Sequence, residues 1–184
     1  MEPQFSPLVI VLFTLVTVFL FGTAVQGLVV GLREMRHPNY TSVLYLTIFG
    51  LLTWLSTLFV LGTEGFFAEF EKMPPRIMLT LIVPMVTIVV LSVNRSFGEL
   101  LTYIRPASLI YLQAFRILVE LVLWLLYKDG ICPKQMTFEG WNFDVLAGLS
   151  APLVAWLAFG GGRNNKKLAI AWNFVGLALL LTII

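Results

Sequence analysis

The sequence predicts an all-α integral membrane protein, a helical bundle of six transmembrane helices with its N-terminus outside. Three observations carry this. First, 59% of the residues are hydrophobic and 12% are charged, where a soluble domain has about 25% charged residues. Second, the apolar runs are long enough to cross a bilayer. Third, Lys and Arg sort between alternate connecting segments. With 184 residues there is room for the spans and short loops, so residues 1–184 read as a single transmembrane domain.

The spans fall at Pro7–Leu32, Val43–Gly62, Ile77–Val93, Ser108–Tyr127, Val145–Phe159 and Leu168–Ile184. The start, Met-Glu-Pro-Gln-Phe-Ser, lacks the basic n-region of a cleaved signal peptide, so the first span is expected to be retained. The fifth, of about 15 residues, is at the lower limit for a spanning helix and can lengthen into Trp141–Asp144 or Gly160–Gly162. The sixth stops at Ile184 without a polar flank. On that ground the natural chain is expected to continue, with room for a seventh span.

Loops one, three and five carry Arg33, Arg36, Arg95, Arg105, Arg163, Lys166 and Lys167. The amino end and loops two and four carry only Lys72, Arg76, Lys128 and Lys134. The positive-inside rule then places the odd loops in the cytoplasm. Glu2, Glu64, Glu69, Glu71, Asp129, Glu139 and Asp144 fall outside, making the outer face acidic.

Thr23, Gly27 and Gly31, and likewise Ala147, Ala151 and Ala155, recur at every fourth position, a spacing that lets membrane helices approach closely. Pro84 and Pro152 lie inside spans and predict kinks. There is a faint internal repeat: Phe70-Glu71, Pro84 and Arg95 recur as Phe138-Glu139, Pro152 and Arg163. Parallel repeats of this kind are a transporter plan.

The fourth span carries the candidate site. Gln113, Arg116 and Glu120 fall within about 60° of one another on a helix, forming one polar stripe in an apolar segment. A charge at bilayer depth costs about 2.5–3.5 kcal/mol on insertion scales, so such groups face a protein interior or wet cavity and mark function. The competing interpretation is a structural ion pair fixing helix register. Trp124 and Tyr127 continue the stripe outward, and together these residues form a candidate ligand or ion pathway. Gln26 and Asn173, with Thr53 and Thr57, are the expected neutral partners on other spans.

Around the outer loops, Glu64–Glu71 and Thr137–Asp144 interleave acids with aromatics. Interfacial anchoring explains this. The rival is an acidic, aromatic-lined outer mouth with Glu71, Glu139, Trp141, Asn142 and Asp144. Phe66, Phe67 and Phe70 share one helical face and predict a short amphipathic segment.

Several chemistries are excluded. Basic residues are scattered, so no nucleic-acid partner is expected. Cys132 is the single cysteine and His37 the single histidine, which removes disulfides, cysteine metal sites, paired haem ligation and a Ser–His dyad. No lysine lies within a span, no P-loop is present, and Gly160-Gly161-Gly162 reads as a helix end. No metal, cofactor or catalytic residue is predicted. Asn39-Tyr-Thr41 and Asn94-Arg-Ser96 match the glycosylation pattern but fall on the cytoplasmic side.

Gln113-x-x-Arg116-x-x-x-Glu120, followed by Met136-Thr-Phe-Glu139-Gly-x-Asn142-Phe-Asp144, resembles a group of small bacterial membrane proteins of unassigned function. The resemblance covers mainly the second half and implies a bacterial inner-membrane setting, without an activity. Three function classes remain open. A small-solute or ion transporter or channel with a central Arg–Glu site comes first. A ligand- or lipid-binding sensor or accessory subunit comes second, and a lipid-modifying enzyme third. The partners expected are the bilayer and a small-molecule, ion or lipid ligand; the oligomeric state is not legible.

Overall fold

A computed structural model of the chain describes residues 6–68 and 75–181. All regular structure among them is helical: α1 (Pro7–Glu34), α2 (Tyr40–Thr63), α3 (Leu79–Val93), α4 (Arg95–Thr102), α5 (Pro106–Leu112), α6 (Phe115–Lys128), α7 (Asp144–Phe159) and α8 (Lys166–Leu181), with short 3-10 turns between some of them. Five stretches are long and apolar enough to cross a membrane: Pro7–Glu34, Tyr40–Thr63, Arg76–Val93, Pro106–Lys128 and Asp144–Gly162. The expected sixth span corresponds to α8, described over 16 residues.

The chain divides into two compact units, one of residues 1–23 and 105–184, the other of residues 24–104. In the second unit, α4 was not expected: it forms within the predicted third loop. Asn94 starts it, its side-chain oxygen accepting the Phe97 amide at 3.1 Å, which satisfies one of the free donors of the first turn. Its apolar side lays Leu100 on Gly31, where a Cβ would come within 2.6 Å of Leu100 Cγ, and Ile104 lies 3.8 Å from the equivalent point on Gly27. The small-residue stripe of the first span thus receives a short amphipathic helix. No residue of α2 or α3 is buried, which leaves apolar surfaces of the kind that lipid covers.

Only part of the expected amphipathic segment in loop two lies among the described residues. Phe66–Ala68 forms a 3-10 turn in which Phe66 and Phe67 meet edge to face at 5.5 Å, and the Arg76 guanidinium stands 4.5 Å over the Phe66 ring. Phe70 and Glu71 lie outside the described residues.

The first unit is organised around α7, which packs against α5, α6 and α8. The reason is its small-residue stripe. Ala147, Ala151, Ala155 and Ala158 are buried, and Ala151, Ala155 and Ala158 cluster with Ile110 of α5 and Ala169 of α8. Gly148 lets α6 approach closely: a Cβ there would come 2.9 Å from Ile117 Cγ1 and 3.1 Å from the Ile117 amide nitrogen. Ser150 ties α7 to α8 by accepting the Trp172 indole N–H at 2.9 Å. Pro152 sits inside α7 and Pro84 inside α3, as the sequence placed them. The α7–α8 connection reverses on Gly161 and Gly162, both at positive φ, and Asn165 caps α8 by accepting the Leu168 amide.

Candidate functional site

The fourth span is not one uniform helix. Pro106 opens α5, and between Leu112 and Phe115 the hydrogen bonds shorten to i→i+3: Gln113 to Ile110, Ala114 to Tyr111, Arg116 to Gln113 and Ile117 to Ala114. This local 3-10 winding brings residues three apart into line. Gln113 and Arg116 therefore eclipse, and Arg116 Nε donates to Gln113 Oε1 at 2.9 Å.

Arg116 does not pair with Glu120. Its Nη1 donates to Asp144 Oδ1, an ion pair with side chains 18% and 10% exposed. The Asp144 amide donates to Asn142 Oδ1 at 3.0 Å. Asn142 Nδ2 in turn donates to Glu120 Oε1 at 2.5 Å and to the Met136 carbonyl at 3.0 Å. The result is a continuous polar chain, Gln113–Arg116–Asp144–Asn142–Glu120. Glu120 is 2% exposed, and its Oε2 is buried with no hydrogen-bond partner among the described residues.

The Arg116–Asp144 pair fixes where α7 begins. Lys128, the end of α6, lies twelve residues beyond Arg116, about 18 Å along the helix. Helix α7 starts beside Arg116, so the connection from Asp129 must return along the C-terminal half of α6 without forming an α-helix. It does so as a compact plug. Gly130 at positive φ ends α6, and a 3-10 turn forms at Lys134–Met136. Thr137 and Asn142 are fully buried, and Gly140 presses so closely on Lys134 and Gln135 that a Cβ would meet their backbone. The Gly140 amide donates to Thr137 O at 2.9 Å and the Trp141 amide to Gln135 O at 3.3 Å, so the buried backbone finds partners within the loop.

Several expectations are corrected by this. Asn142 and Asp144 were assigned to an outer mouth; they are buried beside Glu120 and Arg116. Glu139 and Trp141, by contrast, lie at the surface of loop four, Trp141 at 69% exposure. Asn173 is exposed rather than a partner of the central charges, and Gln26, Thr53 and Thr57 are exposed as well. Asn173 donates to Ala169 O and Thr57 to Thr53 O, each within its own helix, the usual local solution for an unmatched polar group. Glu71 lies outside the described residues.

The C-terminal end of the stripe forms a separate surface cluster. Trp124 Nε1 donates to Glu139 Oε1 at 2.6 Å, Phe138 stacks on Trp124 with centroids 6.2 Å apart, and Lys128 Nζ lies 3.7 Å from Glu139. The same ammonium stands 5.1 Å from the Trp124 ring centroid and 5.3 Å from that of Tyr127. The Trp124 indole N–H, helped by the Lys128 and Lys134 charges and opposed by desolvation, holds the Glu139 carboxyl below its ordinary value of 4.5. The folded-state value is depressed, so this anchor is intact above the ordinary value and lost only as pH falls through the lowered one. Titration of the Trp124 indole N–H by NMR is expected to show a midpoint below 4.5; a midpoint at or above it would mean that the hydrogen bond is not formed.

Cys132 belongs to the same loop. Its Sγ donates to Leu123 O at 3.2 Å, and burial pushes its thiol up from the usual value. It is therefore a slow but native reporter of loop opening.

The site is assembled from the break between α5 and α6, α6 itself, the loop that follows it and the first residue of α7, so all its parts lie within residues 113–144. No group of three or more metal-ligating side chains occurs among the described residues. No protein-family model, curated protein or solved structure matches the chain.

Proposed function

We propose that this chain is a multi-pass protein of the bacterial inner membrane, with six spans and its N-terminus outside, that moves a small ion or solute, with Glu120 as the acceptor on the path. The observation that carries the reading is the buried polar chain itself. It holds two carboxylates, Asp144 and Glu120, against one guanidinium, Arg116, and leaves Glu120 Oε2 without a donor. A buried excess of negative charge is costly unless something neutralises it. A proton or small cation at Oε2 supplies that partner. The break between α5 and α6 and the start of α7 meet at this point, an arrangement in keeping with transporters, whose discontinuous helices surround a site near the middle of the membrane.

Reconstitution into liposomes with an internal pH or cation indicator tests this. Wild type should carry flux, and Glu120→Gln, which keeps the Asn142 contact but removes the charge, should abolish it while the protein still folds. Flux through Glu120→Gln equal to wild type would overturn the assignment. The topology has its own test: an impermeant thiol reagent should label Cys132 from outside intact cells, and labelling only after lysis would invert it.

A second reading is favoured by one observation, the locking of loop four onto Glu120 through Asn142. In that reading the protein is a ligand-gated sensor whose loop is the moving part. It carries no flux, and a co-purified ligand visible by mass spectrometry would support it.

A further inference from the structure

The turn between α7 and α8 presents Arg163, Lys166 and Lys167 around an open recess of about 560 Å³, completed by Asn164 and Asn165. None of these three cations pairs with a carboxylate among the described residues. The turn is not a loose loop. Gly160 has no Cβ, and one would come 2.7 Å from Trp156 Cδ1, so the indole packs closely against the end of α7. The Arg163 guanidinium stands 5.0 Å over that ring. The Asn165 amide donates back to Ala158 O at 2.8 Å. The basic groups are thus carried on a turn pinned to the helix pair beneath it.

The two helices that this turn joins, α7 and α8, expose apolar side chains within three turns of it. Leu153 is 58% exposed, Trp156 54% and Ile170 56%. A cationic recess joined to two apolar flanks has the chemistry of one end of an anionic phospholipid: a phosphate among the basic groups, acyl chains along the helices. A free phosphate ion would use only the recess and leave the flanks idle.

We propose that Arg163, Lys166 and Lys167 bind the phosphate of an anionic phospholipid whose acyl chains lie along the exposed faces of α7 and α8. The site lies apart from the Arg116–Glu120 chain and does not depend on what that chain carries.

The test uses the full chain purified in a neutral detergent. Its unfolding midpoint is followed while phosphatidylglycerol, phosphatidylcholine or inorganic phosphate is added. Phosphatidylglycerol should raise the midpoint at concentrations where phosphatidylcholine does not, and the shift should fade with added salt. Lys166→Gln with Lys167→Gln should weaken the apparent affinity by roughly fivefold per lysine, while the paired Lys→Arg changes should retain it. Both lysines are exposed, so the variants should unfold at the wild-type midpoint without lipid. Equal shifts from the two lipids, or a salt-independent shift, would overturn the proposal. So would an unchanged affinity in the Gln variant. The same shift from inorganic phosphate alone would reassign the recess to a soluble anion and remove the lipid.

Discussion

Arg116→Gln is expected to destabilise the protein by about 3–5 kcal/mol, the usual cost of leaving one member of a buried pair uncompensated. Asp144→Asn should cost a similar amount. Combined, the two changes leave an amide facing an amide, able to hydrogen-bond without charge, and should cost clearly less than their sum. The partner matters as much as the magnitude. The geometry pairs Arg116 with Asp144, whereas Glu120 is held by Asn142. A double-mutant cycle in detergent unfolding should therefore give a large coupling for Arg116 with Asp144 and a small one for Arg116 with Glu120. The reverse order would mean that α7 does not start beside Arg116, and the description of loop four as a returning plug would go with it.

Gly140→Ala is expected to have the second largest effect, and through a different mechanism. The added methyl meets the Lys134 carbonyl and lies 2.6 Å from Gln135 Cα, backbone atoms that cannot rotate away. Overpacking of this kind costs about 1–3 kcal/mol, here concentrated on the loop rather than on the helices. A loss of 2 kcal/mol multiplies the open fraction of loop four by roughly thirty. Cys132 should then react with a thiol reagent faster by about that factor, while helix content is unchanged. Unaltered labelling in a folded Gly140→Ala protein would show that the loop can yield at Gly140 without releasing Asn142 from Glu120.

The stripe of Gln113, Arg116 and Glu120 was visible in the sequence because charge in an apolar run is rare and its angular spacing follows from helix geometry alone. Its partners were not visible. Polar residues on other spans were the expected partners, since residues of a loop are expected to stay at the surface. Asn142 and Asp144 were singled out, but as parts of an outer mouth, because their neighbours Phe138, Trp141 and Phe143 are aromatic and that pattern marks an interface. Those three are indeed exposed. The two polar residues between and after them point the other way, which alternation along a non-helical segment permits. The single available hint was the shortness of the apolar run after Asp144.

The sequence by itself determined the all-α class, the presence of several apolar stretches of membrane-spanning length (six were expected, and five of that length are found among the described residues), the Ala147–Ala155 packing stripe, the prolines within α3 and α7 and the glycine-rich end of α7. Each of these is a local property: a run of side chains sets hydropathy, a missing Cβ or a missing amide hydrogen sets backbone freedom, and neither needs knowledge of neighbours. Tertiary structure decided that the fourth span breaks at Gln113, that a short helix forms at Arg95–Thr102, that α7 begins level with Arg116, and that Asp144 rather than Glu120 takes the guanidinium. These depend on which groups meet across a gap in the chain. An ion pair is selected by distance and desolvation together, and both are set by the docking of Gly148 against Ile117, a contact that no spacing along the sequence specifies.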